Sequence, residues 1–92
     1  MNEPVKIIFY ATKWCPDCTR ARKILDQRAV PYIYVDINQD AAGRAYVQQV
    51  NQGNRSVPTI VFPDGSILVE PSNQALEAKL ESLGVQAEDH SI

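Results

Sequence analysis

The first 37 residues switch twice between two kinds of hydrophobic pattern, and this restricts the fold more than any other feature. The run VKIIFYA at residues 5–11 is almost continuously apolar and rich in β-branched and aromatic residues, which predicts a buried strand. Residues 16–29 instead carry apolar side chains at helical spacing, and after Pro31, which ends this helix, residues 32–37 predict a second strand. The apolar stripe of the helix consists of Ala21, Ile24, Leu25 and Ala29. A strand, a helix and a strand in succession predict a right-handed crossover between parallel strands.

The middle of the chain predicts a second helix and a hairpin. Asn38 is a suitable N-cap for a helix that Gly53 would terminate. Further on, the apolar runs at residues 58–62 and 66–70 flank a Pro-Asp-Gly turn. Two strands separated by so short a turn predict an antiparallel hairpin.

A last amphipathic helix completes the predicted domain. It is expected to begin at Pro71 or Ser72 and to end before Gly84. The resulting order, β-α-β-α-β-β-α with a four-stranded mixed sheet, is an α/β architecture that resembles the thioredoxin-like fold in its small form. We expect residues 1–85 to form this domain and residues 86–92 to be a flexible tail.

Composition excludes several classes of function. The 92 residues carry a net charge of −2, which argues against a nucleic-acid-binding protein, and no apolar run approaches the ~18 residues of a membrane helix. The start MNEPVKIIFYA has no basic segment and no cleavage motif, and the chain has only two cysteines. We therefore expect a cytoplasmic protein, and we expect it to be a monomer. In the reducing cytoplasm, a close cysteine pair is more often catalytic or metal-binding than structural.

The two cysteines lie where the first strand gives way to the first helix. Pro16 suits the first helical turn, so Cys15 would occupy the N-cap, where free backbone N–H groups and the helix dipole stabilise a thiolate. Lys13 would add positive charge if it points inward. Cys18 falls on the apolar stripe, so we expect it to be buried and slower to react. One exposed and one sheltered sulfur suit thiol–disulfide exchange.

Asp17, between the cysteines, opposes this effect in part. Its carboxylate favours the start of a helix, but a negative charge close to Cys15 disfavours the thiolate. We therefore expect Asp17 to make the pKa of the Cys15 thiol less depressed than a neutral residue would.

Other roles for the pair are weaker but stay open. As a structural disulfide it would close a four-residue loop, which removes only about 2 kcal/mol of unfolded-state entropy. A zinc site normally needs four ligands, whereas the chain offers two cysteines and His90. An iron–sulfur cluster shared between two chains is chemically possible.

Val57 and Pro58, at the start of the third predicted strand, form a second candidate site. Proline cannot donate to a sheet ladder, and an X-Pro bond adopts the cis form at modest cost. A cis bond here would expose the N–H and C=O of Val57, with which an extended substrate could pair next to Cys15.

The motifs WCPDC and RSVPTIVF, followed by a hairpin and a helix, make the chain resemble a glutaredoxin over nearly its whole length. Residues 50–72 are similar to the mycoredoxin branch of that family. The resemblance implies a thiol–disulfide oxidoreductase in which Cys15 is the nucleophile and Cys18 resolves the intermediate. It also implies that a small thiol binds near the backbone of Val57, with Arg55 at a position that often meets a carboxylate of the thiol. The residues expected to bind the thiol or substrate are Lys13, Trp14, Arg55, Val57, Pro58, Ser72 and Asn73.

Three departures from the family pattern concern the thiol. Thr12 replaces the lysine that many glutathione-dependent members carry, Asp17 replaces a common tyrosine, and residues 70–73 contain no aspartate for a γ-glutamyl group. The expected co-substrate is therefore mycothiol or glutathione, with no tightly bound cofactor and no metal. Protein disulfides or mixed disulfides are the expected substrates. A redoxin recharged by a flavoprotein reductase, or an iron–sulfur-binding module, are the alternatives.

Overall fold

The computed structural model describes residues 6–84, and it contains the seven predicted elements in the predicted order. They are β1 (Ile7–Ala11), α1 (Pro16–Gln27), β2 (Tyr32–Asp36), α2 (Ala41–Val50), β3 (Thr59–Val61), β4 (Ile67–Val69) and α3 (Asn73–Ser82). Residues 86–92, the expected tail, lie outside the described residues.

The four strands form one mixed sheet in the order β2-β1-β3-β4. β1 pairs with β2 in parallel, from Ile7 opposite Tyr32 to Ala11 opposite Asp36. β3 is antiparallel to both β1 and β4. The predicted parallel pairing of the first two strands and the predicted hairpin are therefore confirmed, and β1 lies in the middle of the sheet, where its carboxyl end leads directly into the cysteine pair.

Two layers of helices cover the sheet. Alternate residues of β1 point to one face, where they join buried residues of α1 and α3 in the main core. The principal members of that core are Ile7, Phe9, Ala11, Ala21, Ile24, Leu25, Ile60, Phe62, Leu76 and Leu80. Tyr10 points to the opposite face and stacks on Tyr46, so α2 packs there. The Cα of Gly43 lies so close to β2 that an added Cβ would be 2.7 Å from Val35.

The first helix is two residues shorter than predicted. It ends at Gln27, and the backbone N–H groups of Ala29 and Val30 bond back to the carbonyls of Asp26 and Leu25. Ala29 adopts a left-handed conformation, with φ of 55°, and is exposed rather than part of the apolar stripe. This turn lets the chain reverse before Pro31 and enter β2.

The predicted N-cap of α2 is wrong by two residues. Asp40, rather than Asn38, caps the helix, and its carboxylate accepts a hydrogen bond from the backbone N–H of Gly43 at 2.8 Å. The N–H of Asn38 instead bonds to the carboxylate of Asp36 at 2.9 Å, which holds Asn38 in the preceding turn.

The hairpin is tied to α3 through its turn. Asp64 accepts hydrogen bonds from Ser66 and from Lys79 of α3, the latter at 2.8 Å. The Lys79 ammonium, followed by the hydrogen bonds from Ser66, holds the pKa of the Asp64 carboxyl well below its ordinary value.

Between residues 6 and 84, no helix has the length and apolarity to cross a membrane.

Candidate active site

Cys15 caps the amino end of α1, as predicted. Its backbone is extended, with φ of −116° and ψ of 105°, and Pro16 follows in the first turn. The Sγ of Cys15 accepts a hydrogen bond from the backbone N–H of Cys18 at 3.0 Å. The two sulfurs are joined in a disulfide across a Cα–Cα distance of 5.1 Å. A disulfide between the two cysteines is therefore compatible with an intact first turn of the helix.

The two sulfurs differ sharply in burial. Cys18 is 1% exposed and belongs to the main core, next to Ala21 on the same helix face. Cys15 is half-buried and packs against the edge of that core. An external molecule can therefore approach Cys15, whereas Cys18 is reached only through Cys15 or after the helix opens.

The turn before β3 brings Val57 to the cysteine pair. The Val57–Pro58 peptide bond is cis, and the carbonyl oxygen of Val57 lies 3.8 Å from the Sγ of Cys15. Val57 is half-buried against the core, and Pro58 is buried. The structure thus brings together two segments 42 residues apart that the sequence singled out separately.

A buried hydroxyl supports this turn. Thr59 is fully buried, and its hydroxyl donates a hydrogen bond to the carbonyl of Ser56 at 2.7 Å. The same oxygen accepts a bond from the amide of Asn51 at 3.2 Å, and that amide also reaches the carbonyl of Val47. The end of α2 is therefore linked to the segment that carries Val57.

Sequence reasoning missed the roles of Asn51 and Thr59. The available signal was a threonine within an otherwise apolar strand, since a buried hydroxyl requires a partner. The identity of that partner depends on where α2 ends, which the sequence pattern did not define.

Trp14, next to Cys15, is the most exposed large apolar residue of the described chain, at 91%. Trp14 therefore does not cover the edge of the core and presents its ring to solvent. Lys13 and Arg55 are also exposed. All three side chains are therefore open to solvent.

Asp17 and Asn73 both contact Arg20, a residue of α1. The guanidinium of Arg20 lies 3.0 Å from the Asp17 carboxylate and 2.6 Å from the side-chain oxygen of Asn73. Ser72 caps α3 by accepting a hydrogen bond from the N–H of Ala75. The side-chain oxygens of Ser72 and Asn73 therefore already have partners within the chain.

The described residues contain no group of three or more histidine, cysteine or acidic side chains that could hold a metal ion. His90, the one histidine, lies outside the described residues.

Comparison with known proteins identifies relatives of the whole domain. The glutaredoxin family model matches residues 7–67. The chain is 42% identical to a protein of Mycobacterium tuberculosis named as a glutaredoxin, over 80% of this chain and 88% of that protein. It is 39% identical to Mycoredoxin 1 of Corynebacterium glutamicum, over 84% of this chain and 95% of that protein.

The fold is likewise shared with solved structures. The crystal structure of a mutant of a thioredoxin-like protein is 31% identical and superposes with a TM-score of 0.72. The match covers 82% of this chain and 99% of that one. The predicted thioredoxin-like fold is thereby confirmed.

Proposed function

Because this chain belongs to the glutaredoxin family of thiol–disulfide oxidoreductases, we propose that it reduces mixed disulfides between proteins and a small thiol, with Cys15 as the nucleophile. The observation that carries the proposal is the setting of Cys15. Cys15 is half-buried, and its sulfur caps a helix, accepts a backbone N–H bond and lies beside the carbonyl of Val57. A helix N-terminus stabilises the thiolate that such a reaction needs.

The reaction begins with the reduced enzyme. The Cys15 thiolate attacks the small-thiol sulfur of the mixed disulfide, forming a new S–S bond as the old one breaks. The target protein leaves as a thiolate and takes a proton from water. Cys15 then carries the small thiol as a mixed disulfide, and no electrons have been lost or gained overall.

Two routes can release the small thiol. In one, a second small thiol attacks its bound counterpart, which frees Cys15 and yields a disulfide of two small thiols. In the other, Cys18 attacks the Sγ of Cys15, the small thiol leaves, and the Cys15–Cys18 disulfide forms. The second route is supported by the disulfide across the first helical turn. External thiols would then restore the reduced pair by attack on Cys15, since Cys18 is buried.

We place the small thiol over the turn that carries Val57 and Pro58. An extended thiol in this position could pair with the backbone of Val57, and Arg55 and Lys13 are exposed cations available for its carboxylate. Trp14 is suited to contact the apolar part of a protein substrate. Ser72 and Asn73 are candidate contacts at the start of α3.

Mycothiol is our preferred thiol over glutathione. The similarity to Mycoredoxin 1 supports this choice, as does the absence of an aspartate from residues 70–73. Thr12 also replaces the lysine of many glutathione-dependent members.

The test compares Cys15→Ser with Cys18→Ser in the turnover of a mixed-disulfide substrate, with glutathione, mycothiol and bacillithiol offered in parallel. We expect Cys15→Ser to be inactive with every thiol. Activity in Cys18→Ser would assign the route that uses a second small thiol, and its loss would assign the route through Cys18. Full activity in Cys15→Ser would overturn the proposal.

Two further experiments test the alternatives. Turnover with a thioredoxin-type flavoprotein reductase and NADPH, in place of any small thiol, would favour a redoxin that donates electrons to another enzyme. Anaerobic reconstitution that yields visible absorption would favour an iron–sulfur-binding module. The cytoplasmic location and monomeric state expected from the sequence remain predictions.

A further inference from the structure

Arg20 links the cysteine-bearing turn to the start of α3. One nitrogen of its guanidinium lies 3.0 Å from the Asp17 carboxylate. A second nitrogen, Nη1, donates hydrogen bonds to the side-chain oxygen of Asn73 at 2.6 Å and to the carbonyl of Pro71 at 3.5 Å. The guanidinium is therefore held from two sides by segments more than 50 residues apart in sequence.

This arrangement changes the electrostatic effect of Asp17. A carboxylate in the first turn of α1 repels a thiolate at the N-cap, but an adjacent guanidinium offsets that charge. Both side chains are partly in water, at 38% and 54% exposure, so the effect is modest and screened by salt. Asn73 adds to it, because a guanidinium that is already positioned loses less conformational freedom when it pairs with Asp17.

We propose that Arg20 is a positioning residue that neutralises Asp17 and so preserves the reactive thiolate of Cys15. This inference rests on the proposed role of Cys15 as nucleophile. It explains how a family member can carry an acidic residue between its cysteines and keep a nucleophilic sulfur.

Other charged groups lie on the segments that meet at Cys15. Lys13 precedes it, Arg55 precedes Val57, and Glu70 donates its backbone N–H to the carbonyl of Pro58. All three side chains are exposed. They are unchanged in every variant described below, so their contribution cancels when the variants are compared.

The test is a pH titration of the Cys15 thiol by ultraviolet thiolate absorbance, in a Cys18→Ser background where Cys15 is the only thiol. Arg20→Gln is expected to lower the thiolate fraction near neutral pH about twofold, as for a partly exposed ion pair. Asp17→Asn should restore that fraction in the double variant. Asn73→Ala should shift the titration in the same direction as Arg20→Gln, by less.

Arg22→Gln is the matched control. It removes the same charge from the same helix, but Arg22 bonds to Tyr32 and stacks over Tyr34, away from Asp17. Equal shifts in Arg20→Gln and Arg22→Gln, or a shift in Arg20→Gln that persists with Asp17→Asn, would overturn the inference. High salt should shrink the Arg20 effect. Since the titration needs no turnover, its outcome is separate from the Cys15→Ser activity test.

Discussion

Cys15 and Cys18 lie three residues apart at the start of one helix, yet their surroundings differ, since Cys15 packs at the edge of the core and Cys18 lies within it. Polar backbone groups surround Cys15: the N–H of Cys18 at 3.0 Å and the carbonyl of Val57 at 3.8 Å. Apolar side chains surround Cys18, which is 1% exposed. Position along the helix, at its cap or on its buried stripe, therefore gives two chemically identical groups different surroundings.

The largest expected difference is in reactivity. In the reduced chain near neutral pH, we expect iodoacetamide to alkylate Cys15 at least about tenfold faster than Cys18, since Cys15 is less buried and caps a helix, a position that favours a thiolate. Mass spectrometry of peptides from a time course would measure both rates in one sample.

Unfolding in urea is the control for this measurement, because it should bring the two rates close together. Equal rates in the folded chain would contradict the assignment of unequal roles and would mean that the first turn of α1 opens readily.

Loss of the hydrogen bonds that support the Val57 turn should alter the surroundings of Cys15 and leave those of Cys18 unchanged. Thr59→Val removes the hydroxyl bonded to Ser56 and Asn51, and buried groups left without partners cost about 1–3 kcal/mol. We expect a lower free energy of unfolding in urea and a higher KM for the small thiol, because the backbone of Val57 is less well positioned.

Thr59→Ser is the matched control, since it keeps the hydroxyl and should preserve KM. A Thr59→Val variant with unchanged stability and unchanged KM would show that this hydrogen-bond network does not position the turn.

The two cysteine substitutions should lower the free energy of unfolding by unequal amounts. Cys18→Ser puts a hydroxyl into the core and is expected to cost about 1 kcal/mol relative to the reduced wild type. Cys15→Ser should cost less, because serine is a preferred N-cap residue. Urea unfolding under reducing conditions measures both.

A reversed order of stability would mean that Cys15 contributes more to the core than its half-buried position indicates. Cys18→Ala tests whether the cost of Cys18→Ser comes from burial of a hydroxyl. Alanine buries no hydroxyl at this position, although it leaves a small cavity.

The smallest effect on stability is expected from a substitution in the hairpin turn, which is remote in sequence from both cysteines. Lys79 and Ser66 lower the pKa of Asp64 below its unfolded value of 3.8, so this carboxylate stabilises the fold above about pH 4. That contribution is lost as the pH falls through the folded pKa. Asp64→Asn should therefore flatten the acid limb of a stability–pH curve and leave the alkylation rate of Cys15 unchanged.

A change in Cys15 reactivity in Asp64→Asn would show that the hairpin turn and the cysteine pair are coupled through α3. An acid limb identical to that of the wild type would show that the Asp64–Lys79 pair does not contribute to stability.

Much of the fold could be predicted because its signals are local. The order of strands and helices follows from the hydrophobic period, and Cys18 was placed in the core by its spacing from Ala21 and Leu25. The boundaries were less predictable. Asn38 and Asp40 are both good caps, and the choice of Asp40 depended on a turn in which Asp36 bonds to the N–H of Asn38.

The sequence by itself determined that Cys15 would cap a helix, that Cys18 would lie on the buried stripe of that helix, and that both would follow a strand. These placements depend on the local hydrophobic period and on Pro16 in the first helical turn. Only the tertiary structure decided which distant groups meet them. Val57 reaches Cys15 across 42 residues, and Arg20 reaches Asn73 across 53. Such contacts depend on how the helices pack on the sheet, and no spacing within a single element encodes that geometry.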